Sequence, residues 1–394
     1  MFTFPRQAPA GGFETASQAG ARGGPRPAQV RLPSLALLIA LPLPAIGAPL
    51  ANCPLAEKII ITQDTRLDPA CTYRSTLVIT AGKLVLDCRG ALIDARGRDF
   101  GLLIGDRYEV SEVTVRNCRI HGGGNGVFIG RTEPDALKAG QHDRETLYRI
   151  SPHHITLQGI SVTDTTRVGV YLDDYTSHVR IVGSTVSGAA SAGIYLEHSS
   201  RENEILDSTI IGNGYGSFPR YRFGASRREG IAIDSSAHNR VQGNHIAGNA
   251  AGGVFLYKNC QEHIRSKPHS VPRWQHASHN LIHGNRIENE NVGVWIAARQ
   301  SRDLSGWDCG DPPYLGSSHY LDYARHNVIS DNRFERVTTG VRVEDDDNTV
   351  SGNTFIDSDT PVELGARLRQ SVLGKALQGV EIRDNVVGKG ASQP

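Results

Sequence analysis

The chain has 394 residues, and its 42 Lys and Arg nearly balance its 41 Asp and Glu, which gives a formal net charge of +1. This near-neutral charge argues against nucleic acid as a partner, because proteins that bind nucleic acid present clustered positive charge. No apolar run reaches the length of a membrane span, so we expect no stable membrane insertion once the N-terminal signal described next is removed.

The first 48 residues are interpreted as a leader and a secretory signal. Residues 1–31 are rich in Gly, Pro and Ala and carry four Arg, and LPSLALLIALPLPAIGA (32–48) follows. A basic segment, a short apolar run and small residues at its end are typical of such a signal. Cleavage near Ala48 removes four Arg and one Glu, which leaves one domain over residues 49–394 with a net charge of about −2. We therefore expect a secreted or periplasmic protein.

The six Cys of an exported chain indicate three disulfides. We pair Cys53 with Cys71 near the N-terminal end, and Cys88 with Cys118 because LDCRG and RNCRI are similar contexts one long coil apart. Cys260 and Cys309 remain as the third pair. An alternative takes LANC (50–53) as a lipoprotein cleavage box, but Asn before the Cys fits such a box poorly and lipidation would leave five thiols.

A pattern of period two recurs between about residues 160 and 365. Each copy begins near a Gly, alternates apolar with outward residues, and is too short to bury a core alone. The copies are VGVYLDD (168–174), AGIYLEH (192–198), EGIAIDS (229–235), GGVFLYK (252–258), VGVWIAA (292–298) and TGVRVED (339–345). This pattern predicts short strands that pair with their copies one coil away.

A second strip follows each of several copies and carries two Asn five residues apart. Its copies are HNRVQGN (238–244), HNLIHGN (279–285), HNVISDN (326–332) and DNTVSGN (347–353), and copies without insertions lie roughly 21 to 24 residues apart. A fixed period of this size indicates a solenoid. We predict that the Asn residues take the left-handed backbone conformation and hydrogen-bond to the Asn stacked above.

These strips resemble the right-handed parallel β-helix of the pectate-lyase-like superfamily over roughly residues 58–388. The segment TLVITAGKLVLDCRGALIDARG (76–97) is similar to the first coils of many such proteins. The resemblance implies an all-β parallel β-helix solenoid and says little about activity.

Three insertions interrupt the repeat and are expected to flank one groove. They are YGSFPRYRFGASRR (215–228), NCQEHIRSKPHSVPRWQHAS (259–278) and RQSRDLSGWDCGDPPYLGSSHYLDYAR (299–325), while a fourth at 131–153 extends an earlier coil. Insertions in a solenoid map to one face, often the binding face. Their basic and aromatic residues suggest an anionic sugar polymer, although an ordinary solvated loop has the same composition.

The floor of the groove is predicted from the outward positions of the first strips. One line is Tyr171, Tyr195, Ala232, Phe255, Trp295 and Arg342, and the other is Asp173, Glu197, Asp234, Tyr257, Ala297 and Glu344. Aromatic rings stack on sugars, and carboxylates supply acid–base chemistry or bind a cation. The competing interpretation is that the aromatics only cover the coil and the acids only cap turns. Like charges in register repel, which favours a functional role for the acids.

The main hypothesis is an enzyme that acts on an anionic polysaccharide as a β-elimination lyase or C5 epimerase. Its candidate catalytic residues are Asp234, Glu197, Lys258, Arg299 and Glu229, and its candidate substrate-binding residues are Asp173, Tyr171, Tyr195, Arg228, Phe255 and Trp295. Asp173, Glu197 and Asp234 resemble the calcium-binding acids of pectate lyases, which implies Ca²⁺ as the cofactor. The epimerase motif Asp-Pro-His-Asp and a clear lyase Arg motif are absent.

Two other functions stay open. A β-helix glycoside hydrolase or glycan transferase would use paired carboxylates, Glu197 or Asp173 with Asp234, but the polygalacturonase motifs Asn-Thr-Asp and Gly-His-Gly are absent. A non-catalytic protein would bind glycan or be a relative of the periplasmic β-helix protein that assists copper-site maturation. A single Met and the lack of a Cys/His ligand cluster argue against copper.

Overall fold

The computed structural model describes residues 53–132, 142–216, 227–258, 274–302, 313–315 and 317–390. The predicted leader, its signal and the Cys260–Cys309 pair lie outside these residues. The described strands run from Lys58 to Gly388, which are the bounds that the sequence resemblance predicts.

The described part of the chain forms thirty-three strands and two short helices. The strands are β1 (Lys58–Ile61), β2 (Thr65–Arg66), β3 (Thr72–Tyr73), β4 (Thr76–Ile79), β5 (Leu84–Asp87), β6 (Leu92–Asp94), β7 (Phe100–Asp106), β8 (Ser111–Arg116), β9 (Arg119–His121), β10 (Asn125–Arg131), β11 (His153–Gln158), β12 (Ser161–Thr163), β13 (Val170–Leu172), β14 (Arg180–Val182), β15 (Thr185–Ser187), β16 (Ile194–Leu196), β17 (Glu204–Leu206), β18 (Thr209–Ile211), β19 (Ile231–Asp234), β20 (Arg240–Gln242), β21 (His245–Ala247), β22 (Val254–Tyr257), β23 (Leu281–His283), β24 (Arg286–Glu288), β25 (Val292–Ile296), β26 (Val328–Ser330), β27 (Arg333–Glu335), β28 (Thr339–Val343), β29 (Thr349–Ser351), β30 (Thr354–Ile356), β31 (Thr360–Leu364), β32 (Glu381–Arg383) and β33 (Val386–Gly388). The helices are α1 (Arg144–Ile150), between β10 and β11, and α2 (Arg367–Leu373), between β31 and β32.

Every third strand belongs to the same parallel sheet, so three sheets of 11 strands wind around one axis. Sheet A runs from β1 to β31, sheet B from β2 to β32 and sheet C from β3 to β33. The predicted parallel β-helix is confirmed. None of the helices in the described ranges has the length and apolar character that crossing a bilayer requires.

The interior is a continuous stack of β-branched and Leu side chains, one set from each coil. Along sheet A the inward positions Val170, Ile194, Ile231, Val254 and Val294 pair in register and are fully buried. The Gly that precedes each of these strands is needed where coils approach closely. A Cβ on Gly193 would lie 2.8 Å from the carbonyl oxygen of Gly230 on the next coil.

Two ladders of Asn side chains fix two of the three corners of the coils. The backbone N–H and the Nδ2 of Asn239 both donate to Asn280 Oδ1 at 2.9 Å, and Asn280 repeats the pattern on Asn327. A second ladder joins Asn244 to Asn285 in the same way and continues along the axis. The predicted Asn stacking is therefore confirmed.

The prediction that these Asn take the left-handed backbone conformation is wrong. The left-handed residue is the one before each Asn of the first ladder, with φ of 57° at His238, 58° at His279 and 55° at His326. Each Asn side chain points toward the adjacent coil, where its Oδ1 accepts two hydrogen bonds. The residue with the left-handed backbone, at which the chain turns, is therefore the one before the Asn. The imidazoles of these His stack on the surface at 4.9 and 5.0 Å.

Two disulfides, Cys53–Cys71 and Cys88–Cys118, join the first coils as predicted. The Cys53 thiol is used in its disulfide and offers no site for a lipid, which contradicts the lipoprotein alternative. Disulfides of this kind are typical of exported proteins.

Candidate functional site

Sheet A carries the two predicted rows of outward side chains. The first row pairs in register as Phe128, Tyr171, Tyr195, Ala232, Phe255, Trp295 and Arg342. Asp173 and Glu197 follow β13 and β16 directly, and Asp234 is the last residue of β19. Asp173 and Glu197 interact electrostatically with each other, and Glu197 and Asp234 both act on Tyr195, so the three acids share one face.

Each tyrosine of the first row donates its hydroxyl to a carboxylate on the next coil. Tyr171 Oη lies 2.5 Å from Glu197 Oε2, and Tyr195 Oη lies 2.6 Å from Asp234 Oδ2. The two rings stack at 5.3 Å with an angle of 4° between their planes. Burial, followed by the nearby carboxylates, raises the pKa of both hydroxyls well above the ordinary value. Both tyrosines are therefore protonated at neutral pH and able to donate.

Asp234 is fully buried and accepts two hydroxyl hydrogen bonds. Its Oδ2 accepts from Tyr195, and its Oδ1 accepts from Ser235 Oγ at 2.9 Å. These two hydrogen bonds fix the orientation of the Asp234 carboxylate. The sequence predicts the position of Asp234 but not its burial, because burial depends on segments distant in the chain.

Asp173 lies at the other end of the acidic row, where Gly130 has no side chain and leaves it room. Burial raises its pKa well above the ordinary value, and the charges of Asp174 and Glu197 raise it further. The shift favours the neutral acid, which is a poor ligand for Ca²⁺. Nowhere in the described ranges do three or more His, Cys, Asp or Glu side chains form a group that could hold a metal ion. The predicted calcium site stays a prediction.

The half-buried Arg228 and the buried Glu229 and Tyr257 form a cluster beside the tyrosines. Arg228 Nη2 donates to Glu229 Oε1 and to Tyr257 Oη, each at 3.0 Å, and Tyr257 Oη donates to Glu229 Oε1 at 2.9 Å. Burial alone would raise the pKa of Glu229, but the charge and hydrogen bonds of Arg228 outweigh it and hold the pKa below its ordinary value. Glu229 is thus an ionised partner that orients Arg228. The Arg228 guanidinium lies 5.7 Å from the centre of the Tyr195 ring.

Lys258 and Arg299, the other predicted cations, lie at the ends of adjacent coils. Both are buried, and the Arg299 guanidinium lies over the Tyr257 ring at 4.5 Å. The backbone N–H groups of both residues donate to Asp322, at 2.5 and 2.7 Å. The role of Asp322 is not predictable from the sequence, because this residue is 64 residues from Lys258 and 23 residues from Arg299 and no spacing signals the contact.

Phe255 and Trp295 contact each other edge to face at 5.2 Å and belong to an apolar cluster with Tyr195 and Tyr257. Phe255 is buried, whereas Trp295 is half-buried and lies under the Arg342 guanidinium at 4.6 Å. Of the predicted sugar platforms, Tyr171 and Trp295 keep accessible surface.

The described end of the second insertion packs on the turn that follows sheet A. Gln275 Nε2 donates to the carbonyl oxygens of Ser200 and Ser235, at 2.8 and 3.1 Å. Trp274 Nε1 donates to Tyr175 Oη, and Trp274 joins an apolar cluster with α1. The segment therefore packs along the edge of sheet A beside Asp234. The tips of the three insertions lie outside the described residues, so the predicted groove walls stay a prediction.

Residues 103–306, just over half of the chain, match the family model described as periplasmic copper-binding protein (NosD). The chain belongs to the NosD family. Residues 230–387 also match the model of the right handed β-helix region. No curated protein matches the sequence. The NosD match falls on the coils that carry the tyrosine–carboxylate pairs.

Solved structures with the same fold are distant from this NosD-family chain in sequence. A double mutant of the periplasmic alginate epimerase AlgG has a TM-score of 0.51 and 14% identity, covering 84% of this chain and 77% of that chain. The A-module of mannuronan C-5 epimerase AlgE6 of Azotobacter vinelandii has a TM-score of 0.45 and 13% identity, with 85% and 81% coverage. An alginate lyase from Paenibacillus sp. has a TM-score of 0.44 and 11% identity, with 86% and 94% coverage. At these identities, the AlgG similarity shows the fold alone.

Proposed function

We propose that this protein is an exported β-helix enzyme that acts on a uronate-containing polysaccharide, as a lyase or a C5 epimerase. The observation that carries the proposal is the pair of Tyr–carboxylate hydrogen bonds on consecutive coils, flanked by the half-buried Arg228 and the buried Lys258 and Arg299. Acid–base chemistry needs a positioned proton donor and a positioned acceptor. A site that acts on uronates must also place a positive charge near the substrate carboxylate.

The chemistry follows from the roles that these groups can fill. Arg228, Lys258 and Arg299 would bind the uronate carboxylate and make the neighbouring C5 proton more acidic. Asp234 would accept that proton, and Tyr195 would donate one. In a lyase, the electron pair of the C5–H bond forms the C4–C5 double bond, the C4–O4 bond breaks, and O4 takes a proton. In an epimerase, a proton returns to C5 from the opposite face.

The copper named in the family description does not fit the described residues. Two rows of imidazoles contact one another, His238 with His279 and His326, and His153 with His154 and His178. Neither row is a metal-ligand group, because within the described ranges no three or more His, Cys, Asp or Glu side chains come together in a way that could hold a metal ion. We therefore derive no step through copper. The two disulfides and the family description support a periplasmic or secreted location.

Incubation with a panel of uronate polymers tests the proposal. A lyase gives an unsaturated product that absorbs in the ultraviolet, and an epimerase changes the sugar signals in the NMR spectrum without chain cleavage. Tyr195→Phe should remove activity, whereas Glu204→Gln, on sheet B, is a matched control that should not. New reducing ends without ultraviolet absorbance would select the hydrolase, and binding without any product would select the glycan-binding module. Loss of activity with chelator, restored by Ca²⁺, would support the calcium prediction.

A further inference from the structure

Asp322 occupies an unusual position, because one buried carboxylate joins two neighbouring coils. It lies in the segment that returns from the third insertion to β26, and it is 1% exposed. Its Oδ1 accepts the backbone N–H of Lys258 at 2.5 Å, and its Oδ2 accepts that of Arg299 at 2.7 Å. The carbonyl oxygen of Asp322 also accepts Gln300 Nε2 at 2.9 Å.

The two N–H groups lie where the chain leaves sheet A for an insertion. Lys258 follows the last residue of β22, and Arg299 lies three residues beyond β25. At such exits the parallel ladder ends, so the position of the backbone depends on other contacts. Asp322 accepts a backbone N–H on both coils and thereby fixes the distance between the backbones of Lys258 and Arg299.

The electrostatic surroundings fit this role. Burial raises the pKa of Asp322 to about 8, against the lowering effect of the two N–H donors and of Arg299. The charge of Asp345 raises it further. Ionisation strengthens acceptance of both N–H groups, because a protonated oxygen accepts poorly. The two hydrogen bonds from the backbone of Lys258 and Arg299 to Asp322, called the clamp from here on, are therefore expected to strengthen in mildly alkaline solution.

We infer that Asp322 is a positioning residue, which holds the backbone at Lys258 and Arg299 so that both cations face the tyrosine–carboxylate row. This inference rests on the proposed function for its catalytic consequence, but the clamp itself is a property of the fold. Asp322 thus couples the third insertion to the site.

Asp322→Asn tests the inference, because an amide keeps one accepting oxygen and loses the other. Glu290→Gln is the matched control: Glu290 is also buried, accepts the backbone N–H of Asn249 at 3.1 Å and has a pKa raised by burial to about 8, but it lies at the opposite corner of the coil. Above pH 8, where Asp322 is ionised, hydrogen exchange at the amides of Lys258 and Arg299 should accelerate at least tenfold in Asp322→Asn and stay unchanged in Glu290→Gln.

With a uronate polymer as substrate, Asp322→Asn should lower kcat/KM on the order of tenfold to a hundredfold, since small misplacements of binding groups have effects of this size. Because ionisation of Asp322 strengthens both hydrogen bonds, we expect the activity of the wild type to rise as the pH passes 8, and this rise should be absent from the variant. Unchanged exchange at both amides overturns the clamp, whatever the activity. Faster exchange with unaltered kcat, KM and pH profile overturns the positioning role. A wild type inert on every polymer overturns the proposed function instead, and hydrogen exchange alone then decides the clamp.

Discussion

Asp234→Asn is the substitution that tests the site most directly. The side chain keeps its shape but loses its charge and one of its two accepting oxygens, so Tyr195 Oη and Ser235 Oγ can no longer both donate to it. We expect turnover on a uronate polymer to fall at least about a hundredfold, the usual contribution of one acid–base group.

The effect on stability should be smaller than the effect on turnover. A hydrogen bond to a charged group contributes roughly 1.5–3 kcal/mol, and the freed hydroxyl of Ser235 can rotate to accept from the new amide. We therefore expect a loss of about 1–3 kcal/mol in the free energy of unfolding by urea, which leaves the coil folded.

A double-mutant cycle with Tyr195→Phe separates the pair from its surroundings. If the 2.6 Å bond carries the activity, the double variant should be little worse than either single variant, because each alone breaks the same interaction. Additive effects would show that the two residues act separately. Asp234→Asn with turnover within a few-fold of the wild type would reduce the acidic row to turn capping and refute the assignment.

Further predictions concern stability and disulfide pairing. The pKa values of Glu290 and Asp322, both raised to about 8 by burial, mean that the native state holds protons that the unfolded chain releases near pH 4. Although the ionised carboxylates accept hydrogen bonds more strongly, the cost of burying their charge is larger, so the stabilisation is fully present below about pH 4 and is lost as the pH rises to about 8. Urea titrations of Glu290→Gln between pH 5 and 9 should therefore show a weaker decline than the wild type. Asn285→Ala should lower the free energy of unfolding by roughly 2–4 kcal/mol, since it leaves two buried donors on Asn244 without an acceptor; an unchanged urea midpoint would contradict the role of the ladder. Peptide mapping without reductant should join Cys260 to Cys309, and a link from either to another Cys would refute that pairing.

The fold was largely predictable from the sequence because a solenoid repeats its physical constraints in every coil. The alternation in VGVYLDD and its copies places Tyr171, Tyr195 and Phe255 in one outward row, and the structure pairs these coils in the same register. The paired Asn also predicted the ladders. The backbone conformation at the corner was misassigned, because Asn and the preceding His are both compatible with a turn and only the coil geometry distinguishes them.

The sequence predicts most of the residues that form the candidate site, but it does not predict the contacts between them. The two outward rows predict that Tyr195 and Asp234 are neighbours. They do not predict the hydrogen bond between them, because it joins a residue of the first row to a residue of the second row on the next coil. Arg228 and Glu229 are adjacent in sequence, yet their joint contact with Tyr257 depends on the next coil. Asp322 reaches the site from an irregular segment, where no period exists to guide a prediction.

The Asn ladders also explain how the protein can change its surface without changing its frame. The first ladder extends from Asn203 to Asn348, and its consecutive Asn are separated by 36, 41, 47 and 21 residues, yet the hydrogen bonds between them are alike. The register between adjacent coils is thus the same at each corner of the ladder, whatever the length of the segment inserted between them. Segments between corners can lengthen, shorten or be exchanged independently, so an engineer could replace one insertion with another of a different length and keep the remaining coils aligned.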